Sequence, residues 1–199
     1  FSKPSLLIAH SGLLLKPLGF TLEGYKLVLK NPNILTGFKN TINYVVVGTF
    51  INIAATSLAA YVLSRKYFSF NKYLMKMIVF TMFFGGGLIP TYLVVCGLGM
   101  RNTIWALTIP GAIGTWNLIV MRTSFMEIPD SFEESAKIDG ANEIVILFKI
   151  ILPLSKAILA VMTLFYGVGH WNSWFGAAIY MSGRDKYPLQ LFLREILII

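Results

Sequence analysis

Charge is what this 199-residue chain has least of: Asp, Glu, Lys and Arg together make up 13% of it, against about 25% in a typical soluble domain. With 56% hydrophobic residues and a mean hydropathy of +0.69, that shortage excludes an ordinary soluble domain and points to an integral membrane protein. A single cysteine, Cys96, excludes an intramolecular disulfide framework. Its place in an apolar run makes it a small buried hydrophobe. Two histidines, His10 and His170, are too few and too far apart in the chain for a metal site. No GxxxxGK[ST] phosphate loop occurs, nor any catalytic dyad at a credible spacing, so the chain reads as non-catalytic. Acidic residues are scarcer than basic ones, giving a net charge of +8. The lysines are scattered, with no basic patch interleaved with aromatics, which excludes a nucleic-acid binder and leaves attraction to anionic membrane lipid. The chain starts at Phe1 rather than Met, shows no signal-peptide pattern and stops inside the apolar run "EILII". It reads as a piece of a longer protein, lacking a helix at each end.

What is present is long apolar stretches. A bilayer core of about 30 Å needs about 20 residues of helix, and four segments reach that length: 41–64, 77–98, 104–121 and 154–174. The expected fold is all-α, a polytopic transmembrane helical bundle forming one domain over 1–199. Small residues in the first segment (Gly48, Ala54, Ala55, Ser57, Ala59, Ala60) favour close helix approach. The second segment holds "GGGLIP" and the third "PGAIG". Such runs free backbone groups that protein or water must satisfy, so they mark either pathway-lining breaks or plain packing sites. Residues 5–16 are too short and too broken by Pro4, Gly12 and Pro17 for a span, and are expected outside the bilayer core. At the other end, Leu189, Phe192, Leu193 and Ile196 share a helical face, as in a helix lying at the interface. The cluster Arg65, Lys66, Lys72 and Lys76 favours a cytoplasmic location for its loop, and hence for 122–153.

Between the last two spans lies the most polar stretch, "MEIPDSFEESAKIDGANEIVILFKIILPL". Three of the nine acidic residues fall between Glu133 and Asp139. Pro129 closes the preceding segment, and Ser131 with Glu134 has the spacing of a capping box. A helix is then expected up to the Asp139-Gly140 turn, and a second from Ala141 through Ile151, ending at Pro153.

Glu134-Ser135-Ala136, Asp139-Gly140-Ala141, and then Phe148, Ile151, Leu152, Pro153 and Leu154 resemble the EAA loop of ABC-importer permeases. The Asp-Gly-Ala version resembles the carbohydrate-uptake permeases of the MalG type, with their MetI-like fold. "FTLEGYK" (20–26) and "WNSWFGAAIYM" (171–181) are similar to segments before the second and after the fifth helix of that family. The likeness therefore covers nearly the whole chain, the four spans being the second to fifth of six. Two departures stand out: Ser135 replaces the middle alanine, and Ala157 stands where the family often has proline.

The resemblance implies a multi-pass subunit in the bacterial cytoplasmic membrane. It implies a second permease subunit, two copies of a cytosolic ABC ATPase that use ATP and magnesium, and an extracytoplasmic solute-binding protein. No cofactor would be bound by this chain. The EAA loop would be the coupling helix, with Glu134 facing an arginine of the ATPase, Gly140 giving the turn and a close backbone approach, and Phe148 with Ile151 anchoring the loop to its own membrane helices. For the solute pathway, Trp171, Asn172, Trp174 and Tyr180 suit a sugar, and equally suit an interfacial aromatic belt. Asn117 and Tyr166 are polar groups within spans, either lining a pathway or bonding between helices. A different solute class and a secondary carrier are the alternatives. The carrier would show inverted repeats or an intramembrane acidic residue, and neither is found.

Overall fold

A computed structural model describes residues 30–65, 67 and 69–198, together with 12, 19, 21, 22 and 26. The segment 5–16 lies outside the described residues apart from Gly12, as does most of "FTLEGYK". The described residues are helical, with no strand among them.

The first helix, α1 (Pro32–Ser64), is the longest. Asn31 accepts a hydrogen bond from Asn33 N, and Pro32 occupies the first turn, where a missing N–H costs nothing. This start lies well before residue 41, because Lys39 and Asn40 read as loop although their side chains sit on a continuous helix. Thirty-three residues at 1.5 Å each give a rod of about 50 Å, longer than a bilayer core. Its polarity runs opposite to that of a soluble helix. Thr41, Thr49, Asn52, Thr56, Ser57 and Ser64 face the protein, while Val46, Phe50, Leu58 and Val62 are exposed. Without water outside, polar groups are satisfied only within the protein.

Two of the four expected spans are not continuous helices. The second divides into α2 (Asn71–Phe83) and α3 (Leu88–Gly97), bent by 117°. Gly85, Gly86 and Gly87 form the break, Gly87 at φ +83°. The third divides into α4 (Trp105–Thr108) and α5 (Thr115–Met126), separated at Pro110 and Gly111. Among the described helices only α1 is by itself long and apolar enough to cross a membrane; two bent pairs pass that test together, α2 with α3 and Glu143–Leu154 with Lys156–Asn172.

After α5 come α6 (Ser131–Ile138) and α7 (Glu143–Leu154), the latter containing a π turn over Leu147–Ile151. The chain then bends by 85° into α8 (Lys156–Asn172). The bend lies at Ser155, two residues past Pro153. A short α9 (Phe175–Tyr180) and α10 (Leu189–Ile198) complete the described chain.

Helices α5 and α8 pack along α1. Their shared core joins Tyr61 and Leu63 to Leu118, Met121, Phe125, Ile146, Ile151 and Met162. Midway along α1, Gly48 lets α8 come close: a Cβ there would sit 2.5 Å from the His170 ring. A separate cluster joins α3, α4 and α9 through Val95, Ala106 and Tyr180.

Helix α10 is packed against the bundle. It docks on the first half of α1, with Leu189 N donating to Thr41 Oγ1 at 2.9 Å. The chain leading to it is held by Tyr44 and Asn40, which donate to the carbonyls of Lys186 and Asp185, both at 2.7 Å. Leu191 and Phe192 are buried, whereas Leu193 and Ile196 are exposed. The face it uses runs Pro188, Leu191, Phe192, one step around from the expected one.

Candidate functional site: the α6–α7 block and the polar node of the bundle

Helix α6 starts without a capping box. Asp130, at the N-cap position, has helical angles (φ −57°, ψ −25°) and no side-chain cap bond. A capping side chain needs extended backbone at that point. The turn instead begins at Pro129, whose carbonyl accepts from Phe132 N at 3.2 Å. Ser131 is therefore already inside the first turn.

The end of α6 is as expected. Gly140 has φ +78°; its N–H donates to Lys137 O at 3.0 Å, and Ala141 N donates to Ala136 O at 2.9 Å. This pair of bonds is a Schellman motif, which places a left-handed residue, normally glycine, just past the helix. The second helix starts later than Ala141, because Asn142 caps it by accepting from Val145 N at 2.9 Å.

One face of α6 is fastened to the end of α1. Arg65, the residue after α1, forms an ion pair with Glu133, their side chains only 5% and 7% exposed. The guanidinium also lies 4.8 Å from the centre of the Tyr61 ring, and its Nε and Nη2 are buried without hydrogen-bond partners. Burial raises the Glu133 carboxyl above the usual carboxylate range, with Arg65 working against it. Removing one member of such a buried pair costs about 3–5 kcal/mol.

A second attachment centres on Glu143. Its carboxylate accepts from Tyr61 Oη at 2.5 Å and Tyr67 Oη at 2.9 Å, and pairs with Lys137 Nζ at 2.9 Å. Burial acts upward on this carboxyl, but the bonds from Tyr61, Lys137 and Tyr67 outweigh it and leave it lowered. The bond to Glu143 in turn raises Lys137, whose ammonium sits 4.5 Å above the Tyr67 ring. A cleft of about 250 Å³ opens between Tyr67, Arg65 and the Asp130–Glu134 side of α6.

The other face of the block is open. Glu134, Ser135, Asp139 and Gly140 are exposed, Ala136 is buried and Ala141 half-buried. Around them Phe132, Ile138 and Ile144 are also exposed, Ile138 to 86%. Of the two expected anchors, Ile151 is fully buried but Phe148 is 58% exposed. The π turn carries Phe148 away from the core, and Ile146 and Leu147 are buried in its place. Pro153 is exposed.

The four aromatic and amide candidates at the far end of α8 do not form one platform. Trp171 packs edge-on against Phe38 at 6.1 Å, and Tyr180 stacks on Tyr92 at 5.8 Å. Trp174 lies under the Arg194 guanidinium at 3.3 Å, and Asn172 is exposed. Tyr166 does bond between helices: its hydroxyl shares a hydrogen bond with Thr56 Oγ1 at 2.8 Å and accepts from Gly114 N at 3.0 Å. Asn117 is half-buried beside it.

Sequence reasoning missed the centre of this node, Asn52. Its Nδ2 donates to Gly111 O at 2.6 Å and Ala112 O at 2.9 Å. Its Oδ1 must then accept, so the bond to His170 Nε2 at 2.6 Å places the imidazole proton on Nε2. Asn52 and Tyr166 thereby satisfy the backbone freed by the break between α4 and α5, as a hydrocarbon surrounding requires. The available signal was weak: Asn52 is one of two amides, with Asn43, in an uncharged segment that also carries several hydroxyl side chains. Arg65 and Glu133 gave less: a basic residue at a helix end, and a carboxylate three positions before a small residue on the same face.

Residues 52–195 match the family described as binding-protein-dependent transport system inner membrane component. LplC of Bacillus subtilis (strain 168) is 42% identical over 192 residues, covering 96% of this chain and 65% of LplC. The polygalacturonan/rhamnogalacturonan transport system permease protein YtcP of the same organism is also 42% identical over 192 residues, covering 96% of this chain and 67% of its own. The chain thus spans about two thirds of the length of these relatives. A crystal structure of a bacterial ABC transporter involved in import of the acidic polysaccharide alginate superposes with a TM-score of 0.92 at 33% identity, over 96% of this chain and 68% of that one. The chain belongs to the binding-protein-dependent transport system inner membrane component family, with the MetI-like permease fold.

Proposed function

We propose that the protein is a transmembrane permease subunit of an ATP-driven ABC importer for a sugar or oligosaccharide. It pairs with a second permease in the bacterial cytoplasmic membrane and receives solute from an extracytoplasmic binding protein. Two cytosolic ATPase subunits, using ATP and magnesium, drive it through the α6–α7 block. The observation that carries this reading is the two-faced block: one side is pinned to α1 by Arg65–Glu133 and Glu143, and the other presents Glu134 among exposed apolar residues. Such a surface fits a groove containing an arginine, as the EAA resemblance implies. The carbohydrate assignment is supported by the polysaccharide named for YtcP and by the alginate importer. Membership of this family weighs against a secondary carrier.

Glu134→Ala tests the docking surface. Among the described residues the exposed carboxylate makes no bond to α1, so the variant is expected to insert normally and lose the ATPase. Loss of one partner of a desolvated interfacial pair costs about 2–5 kcal/mol. Co-purification of ATPase and normal uptake in the variant would contradict the reading. Titrating the purified binding protein with neutral and uronic-acid oligosaccharides identifies the solute class, and binding of none of them would remove the carbohydrate assignment.

A further inference from the structure

The block is joined to the bundle unequally on its two sides. Towards α1 it has two polar attachments, the buried Arg65–Glu133 pair and the Glu143 bonds to Tyr61 and Tyr67. The same end of α1 gathers the neighbouring helices: Leu63 O accepts from Arg122 Nε of α5 at 2.7 Å and from Asn71 Nδ2 of α2 at 2.6 Å. Towards α8 the covalent path runs through the π turn and an 85° bend. The Ser155 hydroxyl at that bend is buried without a hydrogen-bond partner. A π turn weakens the regular helical ladder, and such turns recur at functional sites.

We propose that Arg65 and Glu133 are positioning residues that lock the α6–α7 block to α1, making α1 the element through which motion of the block enters the membrane bundle. The inference rests on the ATPase-docking reading above. A buried ion pair is a poor means of adding net stability compared with apolar packing, but breaking it leaves an uncompensated charge, so it resists separation. Joined to an unbroken helix of 33 residues, it turns a displacement of α6 into a tilt of the whole of α1. Asn52, farther along α1, passes that tilt to the break between α4 and α5, while its bond to His170 and that of Thr56 to Tyr166 make the pivot on α8 about which the block end of α1 swings. Relative movement between block and bundle is then confined to the Ser155 bend.

The test uses the complete transporter in lipid vesicles, with binding protein, both permeases and ATPase. Glu133→Gln is expected to retain ATPase at wild-type stoichiometry. ATP hydrolysed per sugar imported should rise by about fivefold or more, the low end of coupling between linked sites. The reversed pair R65E/E133R should restore much of the ratio, which lost folding alone would not predict. An unchanged ratio in Glu133→Gln at equal membrane abundance overturns the lock. A second measurement leaves the pair intact. With Cys96 replaced, spin labels at Ser131 and Leu58 report α6 against α1, and labels at Ser131 and Ala160 report α6 against α8. Addition of ATP should leave the first distance unchanged and shift the second; a shift in the first overturns the proposal. Failure of wild-type permease to bind ATPase refutes the docking reading instead, and is seen before either measurement is made.

Discussion

Single residues in this chain act mostly by where they leave or satisfy backbone. Gly140 is held at φ +78° by the two bonds that close α6, and no atom lies within 4 Å of a Cβ added there. A larger side chain is thus opposed by backbone strain of roughly 1–2 kcal/mol, and by any partner surface laid over the turn. Ala157 contrasts with it: exposed, and in the first turn of α8, where N–H groups have no intrahelical partner. Uptake at matched membrane abundance is expected to fall more for Gly140→Leu than for Ala157→Pro; the reverse order would misplace the docking turn. Asn52 presents a different demand. Asn52→Leu strands Gly111 O, Ala112 O and the His170 N–H inside the bundle, at about 1–3 kcal/mol for each unsatisfied group. The expected result is a lower unfolding midpoint in detergent, with His170→Phe in the same background causing less further loss than it does alone. Additive losses would argue against a shared node. The Gly140 turn was legible because Asp139-Gly140 is a local turn signal. Asn52 and Arg65 were not, since their partners are distant in sequence and no local rule pairs them.

Elements differ in how far local rules govern them. Helix α1 was recognisable from its uncharged apolar run, and its early start was hidden only by Lys39 and Asn40. The bends at Gly85–Gly87 and Pro110–Gly111 were visible as interruptions, but not their consequence, because hydropathy counts length without direction. The α6–α7 block carries a pH signature of its own. Glu143 is lowered from 4.5, so its contribution is complete above that value and is lost only as pH falls through the lower folded one. Glu133 is raised from 4.5. It takes up a proton first on acidification, which discharges the pair with Arg65, although this group's own linkage term favours folding as pH falls between its raised and ordinary values. The expected outcome has two steps of opposite sign: protection of the α6 amides, corrected for intrinsic exchange, rises as pH falls from the raised Glu133 value towards 4.5, and drops only at lower pH as Glu143 takes up its proton. Glu133→Gln should abolish the first step and keep the second. A fall in protection already at mildly acidic pH would contradict the assignment of the raised carboxyl to Glu133.

The whole molecule leaves much apolar surface uncovered. No residue of α2 is buried, and Phe80, Phe83 and Phe84 are exposed along it and at its end. Lipid covers such a surface readily, yet one chain with bent, partial spans does not enclose a pathway. We therefore expect transport from vesicles containing a second permease and none from those that omit it; uptake with this permease alone would refute the pairing. Fold class and family were readable from composition and one loop because a membrane restricts the architecture and the Glu134–Ala141 sequence pattern is specific. The solute was not readable, since Trp171, Trp174 and Tyr180 are each engaged by a different partner.

The polarity of α1 also bears on how the chain enters the bilayer during synthesis. As a continuous apolar helix, α1 meets the length and hydropathy needed for insertion unaided, whereas Trp105–Thr108 and Thr115–Met126 are separate short helices with Pro110 and Gly111 between them. Those later segments acquire a stable home only once the amide of Asn52 is already at the right depth to receive their carbonyls. Because α1 precedes α4 and α5 in the chain, its buried polar stripe is in place before them and serves as the template on which these discontinuous segments are threaded.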